Sequence, residues 1–178
     1  MKAELAREPG VDPPRIIAED LGIIPTFVRA TLDALGMPGY RVLPWERDEI
    51  GFRDPSGYPA SSVASWSTHD TAPITSWWND LPPAHRQELG DRAGLLPEFR
   101  EDERSLVLLH DLYSSSSELA LVLAQEVLGV PDRINTPGTV GDANWTWRLP
   151  RPIEDLNREA RLSERFDAIR ALVTASGR

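Results

Sequence analysis

Two short stretches hold the residues with chemistry to offer. In Trp66-Ser67-Thr68-His69-Asp70-Thr71, an apolar run over residues 62–66 ends in a histidine beside a carboxylate. In Ile16-Ile17-Ala18-Glu19-Asp20-Leu21-Gly22, another apolar run ends in two acids and a glycine. A carboxylic acid delivered just past a strand is how α/β proteins build sites on strand tips. Two such groups, Glu19 and Asp70, can do acid–base or nucleophilic work on a glycosidic bond. They can equally bind a cation. Each stretch taken alone also has a plain structural reading. An Asp after an apolar run often caps a helix, and His-Asp pairs arise by chance.

These residues need elements to position them, and the hydrophobic pattern supplies candidates. Strands are expected at residues 16–18, 40–45, 62–66 and 119–124, the last almost wholly apolar, as in strands buried on both faces. Residues 2–8 read as the tail of a helix. A helix over 26–35 has Phe27, Val28, Leu32 and Leu35 at helical spacing and Gly36 as its stop. Further helices are expected at 74–78, 84–92, 104–113 and 152–175. Residues 46–59 and 131–150, rich in Gly and Pro, read as loops. Strands alternating with helices argue βαβ units and a parallel sheet, so the fold class is α/β.

Composition narrows the partners. The 178 residues suffice for one domain with a sizeable core. Acidic residues outnumber basic ones, 28 to 19, and a net charge of −9 disfavours nucleic acid or an anionic membrane as partner. There is no cysteine, hence no disulfide framework and no thiolate metal site. Residues 1–10 lack the apolar region of a signal peptide, and no apolar run approaches the ~20 residues of a membrane span. The expected location is the cytoplasm. Trp45, Trp77, Trp78, Trp145 and Trp147 lie near turn or polar residues, where a flat ring is often a contact surface. Trp77 and Trp78 read better as packing than as sugar platforms.

A third stretch separates the chemistries: Arg133-Ile134-Asn135-Thr136-Pro137-Gly138-Thr139, then Asn144-Trp145-Thr146-Trp147-Arg148. With it, the chain resembles the amylomaltases, the 4-α-glucanotransferase or disproportionating enzyme family. The resemblance rests on Ala18 to Gly22 (Ala-Glu-Asp-Leu-Gly), Pro38-Gly39 with Arg41-Val42-Leu43, Thr68-His69-Asp70, and the third stretch. Each is weak alone, but four in order, across about residues 15–172, are specific. The family's fold is a (β/α)8 barrel with acids at the ends of strands 4, 5 and 7, working by a retaining mechanism. The resemblance therefore implies that residues 1–178 are the C-terminal half of a TIM barrel, about strands 5 to 8. It assigns Glu19 as general acid/base and Asp70 as the acid that steadies the transition state. His69 would bind sugar hydroxyls, Asp20 and Asn135 would line the acceptor side, and Trp45 matches an aromatic position there.

The implied substrate is a maltooligosaccharide or other α-1,4-glucan, with no cofactor and no metal. The implied partner is the N-terminal half of the barrel. The family's nucleophile lies in an Arg-x-Asp-His stretch that these 178 residues do not contain. The chain by itself is therefore expected to be inactive, and its open sheet edges to favour association. Smaller departures are Thr71-Ala72 after the Thr-His-Asp, Ile134 for a methionine, and a slightly longer loop before Asn144. Two rivals remain. One is a non-catalytic glucan-binding fragment. The other is a metal-dependent phosphohydrolase built from His69-Asp70 and His110-Asp111 on facing helices. The second pair otherwise reads as solvated. Arg148 reads equally as a ligand or a structural ion pair.

Overall fold

The computed structural model describes residues 16–178, so the helix tail expected at residues 2–8 lies outside the described residues. The centre is a parallel sheet, β1 Gly39–Val42, β2 Ser62–Ser65 and β3 Leu119–Leu121, in that spatial order. Gly39 pairs with Ser62, and Val63 with Leu119. Ala18 adds one parallel bridge on the outer side of β1, opposite Gly39. Neighbouring strands are thus neighbours in sequence, all in one direction, as the βαβ reading requires.

Around the sheet run α1 Thr26–Leu35, α2 Ile74–Asp80, α3 Pro83–Ala93, α4 Glu101–Tyr113, α5 Ala124–Leu128 and α6 Ala160–Ala175. Gly36, at φ 58°, stops α1 in the left-handed conformation that a side chain would resist. At the start of α4, Glu103 reaches back to the Arg100 N–H at 2.8 Å and satisfies a donor the helix leaves open.

Side chains alternate across the sheet, with one face turned toward the helices and all four residues of β2 buried. Ala64 and Trp66 point that way, into a core with Leu89 of α3, Leu108, Leu109 and Leu112 of α4, and Ile169 of α6. Trp66 buries its ring and donates its indole N–H to the Leu108 carbonyl. Trp77 and Trp78 pack against this core, Trp77 with its ring centroid 5.3 Å from that of Trp66. A smaller cluster, Leu128, Leu156 and Leu162, sits under Trp147 and Phe166.

Four expected elements are shorter or broken, each for a local reason. The strand at residues 16–18 reduces to the single Ala18 bridge. The Ala18 N–H donates to the Pro38 carbonyl, but Pro38 has no N–H to return. The next donor, the Tyr40 N–H, goes to the Asp20 side chain at 2.6 Å instead of a strand carbonyl. The strand expected at 40–45 stops at Val42, because Pro44 turns the chain into a 3-10 segment, Leu43–Trp45. No α-helix follows before β2. The strand expected at 119–124 has three residues, since the Leu123 N–H is taken by the Glu126 carboxylate at the start of α5. It is also an edge, not a doubly buried strand: Leu121 is 43% exposed. The helix expected at 152–175 is a 3-10 turn, Ile153–Arg158, then α6, separated by Glu159 in an extended conformation.

Candidate active site

The turn after β2 is built by its own hydroxyls. The Thr68 N–H donates to Thr71 Oγ1 at 2.8 Å, the Asp70 N–H to Thr68 Oγ1 at 3.2 Å, and the Thr71 N–H to the Thr68 carbonyl at 3.1 Å. Such Ser/Thr bonds replace a strand ladder with a tight turn. The turn leaves His69 and Asp70 side by side, Nε2 to Oδ1 3.5 Å, with side chains 43% and 40% exposed.

The 133–148 loop docks onto this turn from above. Asn135 Nδ2 donates to Asp70 Oδ1 at 2.7 Å, and the Asn135 N–H to the His69 carbonyl at 3.1 Å. Arg133 donates to the Asp70 carbonyl at 2.9 Å. Asn144 folds the loop on itself, accepting from the Thr136 N–H and donating to Thr139. Trp145 then lies against His69, ring centroids 5.3 Å apart. Its φ of 64° is unusual for a bulky residue and costs on the order of 1 kcal/mol. The Trp145 N–H donating to the Ile134 carbonyl at 2.8 Å helps to hold it there.

Beneath the turn lies a carboxylate. Ser67 donates its hydroxyl to Glu126, whose other oxygen takes the Leu123 N–H at 3.2 Å. Glu126 is 2% exposed. Burial pushes its carboxyl up to about 7, against the pull of its hydrogen-bond donors and of Arg165.

Glu19 and Asp20 part company across the sheet. Ala18 pairs with Gly39, so alternation puts Glu19 on the Tyr40 face and Asp20 on the Arg41 face. Tyr40 lines a cavity of about 250 Å³ with Ser65, Ser67, Thr68, His69 and Leu121. Burial raises the Tyr40 hydroxyl pKa, and the charge of Glu19 raises it further. Glu19 is exposed. Asp20 is not: its side chain is 2% exposed and meets Arg41 at 3.5 Å, Arg29 at 3.6 Å and the Tyr40 N–H. A Cβ on Gly39 would lie 2.5 Å from Asp20 Oδ1, so the glycine makes room for the acid. The expectation that Asp20 lines a sugar site meets a carboxylate turned inward.

Of the six residues singled out by the sequence, the structure joins His69, Asp70 and Asn135 by direct contact. Glu19 does not line the cavity; its link to it is the influence of its charge on Tyr40, which does. Trp45 stands half exposed on the 3-10 turn beyond β1. Tyr40, Arg133 and Glu126 were not foreseen. For Arg133 the signal was its place in the third stretch; Tyr40 and Glu126 carried none, because their roles depend on cross-strand register.

The phosphohydrolase reading needs two facing His-Asp pairs on helices. His69-Asp70 lies in a turn. On α4, His110 is exposed, while Asp111 is not solvated but pairs bidentately with Arg92 at 2.8 and 2.6 Å. Arg148 donates to the Trp147 carbonyl at 2.8 Å.

A model of the 4-alpha-glucanotransferases, glycoside hydrolase family 77, matches residues 2–154. The chain belongs to this family. It is 32% identical over 169 residues to the 4-alpha-glucanotransferase of Chlamydia trachomatis, covering 86% of this chain and 32% of that one. The chloroplastic/amyloplastic 4-alpha-glucanotransferase of Arabidopsis thaliana is 32% identical over 176 residues, covering 95% and 29%. The chain thus spans about a third of the length of these glycoside hydrolase family 77 relatives. Among solved structures, the amylomaltase of Streptococcus agalactiae in complex with acarbose superposes with a TM-score of 0.78 at 27% identity, covering 95% of this chain and 32% of that one. The Corynebacterium glutamicum amylomaltase, at TM-score 0.69 and 19% identity, covering 89% and 28%, shows the shared fold.

Proposed function

We propose that these residues form the acid-bearing C-terminal part of a 4-alpha-glucanotransferase, which moves α-1,4-glucan segments between maltooligosaccharides by a retaining mechanism. The observation that carries this is the docking of the 133–148 loop on the 67–71 turn, with Asn135 on Asp70 and Trp145 on His69. It assembles one polar, aromatic-edged site from two stretches over 60 residues apart. The similar Streptococcus agalactiae amylomaltase was solved with acarbose, which makes acarbose the first ligand to try here.

The chemistry assigns roles. Glu19 protonates the leaving glycosidic oxygen, then takes the proton from the acceptor hydroxyl. Asp70 holds sugar hydroxyls and grips them more tightly as the ring flattens toward the oxocarbenium ion. Asn135, donating to Asp70 Oδ1, fixes that carboxylate's orientation. His69 and Trp45 contact the sugar, and no cofactor takes part. The nucleophile comes from sequence outside these 178 residues.

The fold reading follows. Residues 1–178 make one partial (β/α)8 domain, about strands 5 to 8. The N-terminal half would close on the free edge of β3 and on the outer side of Ala18. Open strand edges of this kind pair readily with other chains. The test is to measure glucose release from maltotriose by residues 1–178 alone, then after fusion to the N-terminal two-thirds of a family relative. Activity in the fusion only, lost with Asp70→Asn, is the expected result. A fusion whose turnover ignores both Glu19→Gln and Asp70→Asn refutes the reading, and leaves the non-catalytic glucan-binding alternative.

A further inference from the structure

We propose that Glu126 is the positioning residue of this site: its carboxylate ties the start of the segment that carries His69 and Asp70 to the junction between β3 and α5. The segment runs from Ser67, at the tip of β2, to Ile74, the first residue of α2. Ser67 donates its hydroxyl to Glu126 Oε1. The second oxygen takes the Leu123 N–H, at the end of β3 and the start of α5. One group therefore locks the tip of β2 to the junction between β3 and α5. His69 and Asp70 follow closely on the anchored Ser67, and the 133–148 loop bonds Asp70 through Arg133 and Asn135.

A helix cap alone does not explain this residue. A short helix such as α5 can be capped by an exposed serine or aspartate. Here a carboxylate has been taken wholly out of water, which is costly without full pairing. The Arg165 guanidinium beside it spends its hydrogen bonds elsewhere, on the Glu126 and Val127 carbonyls and on Ser105. The carboxylate itself is left to Ser67 and Leu123. Ser67 is 3% exposed, so this tie is closed to solvent. The consequence reaches the site. Releasing Ser67 frees the first residue of the turn, and with it the angle at which Asp70 meets Asn135 and His69 meets Trp145.

The inference rests on reading the 67–71 turn as the substrate-facing site, so the test reads turn geometry without turnover. Residues 1–178 carrying 5-fluorotryptophan report Trp145 by 19F NMR, assigned with Trp145→Phe. His69 is followed by its ring proton shifts. Glu126→Gln keeps the shape but places an amide where an acceptor is needed, and Ser67→Ala removes one tie only. Both are expected to shift and broaden the Trp145 and His69 signals. Ile169→Ala, on α6 in the main core, serves as a control with comparable loss of Tm and is expected to leave them in place. In the fused enzyme, Glu126→Gln is expected to lower kcat about tenfold with KM within twofold, the pattern of a misaligned transition state. Glu126→Asp should restore part of it. Unmoved Trp145 and His69 signals in both variants, or equal movement in the control, would overturn the assignment. Should Glu126→Gln fail to fold, Ser67→Ala carries the same decision. Signals that move while kcat stays constant would count against the catalytic reading of the turn and leave the tie standing.

Discussion

The segments at 18–20 and 67–71 both carry acids beyond parallel pairing, and they use them in opposite ways. Asp20 has two arginines and a backbone N–H around it and almost no exposed surface. It ends the strand pairing by taking the Tyr40 N–H. Asp70 accepts from Asn135 through Oδ1 and lies beside His69, while among the described residues Oδ2 has no hydrogen-bond partner. Its turn is held instead by backbone and hydroxyl bonds, by Glu126 below and by the 133–148 loop above. The difference teaches how to sort acids in a fold. A carboxylate whose lone pairs are consumed by protein donors is a structural part. One that is oriented by a single donor and left open is free to meet a substrate.

The comparison can be broken or sharpened by substitution. The largest expected effect is Asp20→Ala, which strands Arg41 and the Tyr40 N–H near the sheet. It should cost about 3 kcal/mol of folding stability, as for one partner removed from a buried pair. Chemical denaturation of residues 1–178 measures it; a loss below about 1 kcal/mol would make Asp20 no more structural than Asp70. A comparable effect, with pH as the variable, belongs to Glu126. Its folded pKa of about 7 stands above its ordinary 4.5, so the native state binds the proton more tightly than the unfolded chain. The resulting stability is fully present below pH 4.5 and is lost as pH rises through 7, on the order of 3 kcal/mol in all. Arg165, the nearest facing cation, opposes the trend, and Asp102 beside Arg165 moderates it. Glu126→Gln should flatten the slope of Tm between pH 4.5 and 7; an unaltered slope would show that another group titrates.

Asp70→Asn should then lower kcat of the fused enzyme at least 100-fold, about 2.7 kcal/mol, with Tm and oligosaccharide binding nearly unchanged. The reverse pattern, a lost Tm with normal turnover, would put Asp70 in the class of Asp20. Gly39→Ala comes next, at about 2 kcal/mol, because its methyl enters space held by Asp20. Pairing it with Asp20→Ala checks the cause: in that background the glycine substitution should cost much less. The smallest effect is expected from Trp145→Gly. Relief of the left-handed backbone offsets the lost ring contact, leaving stability within about 1 kcal/mol. Acarbose binding measured by calorimetry on the fused enzyme should weaken all the same, and unchanged binding would remove Trp145 from the sugar site.

What the sequence by itself determined is the part that depends on local pattern. The alternation of apolar runs and helical stripes specified an α/β chain with parallel strands. The order of four short stretches pointed to the glucanotransferases, and Thr68-His69-Asp70 and Asn135 marked residues that do meet. Gly36 was readable as a helix stop because a left-handed residue needs no distant partner. Tertiary structure decided the rest. Glu19 and Asp20 are adjacent and chemically alike, yet the fold leaves one exposed and buries the other against two arginines. The strand at residues 16–18 shrank to one bridge because a side chain twenty residues before Tyr40 took its N–H. Glu126 looked like any polar residue at the start of a helix. Its importance comes from Ser67, 59 residues away, brought to the same carboxylate as Leu123 by the packing of β2 beside β3. Side-chain alternation is a local property and can be read along the chain. Which donor a carboxylate meets is a contact between distant segments, and only the assembled fold sets it.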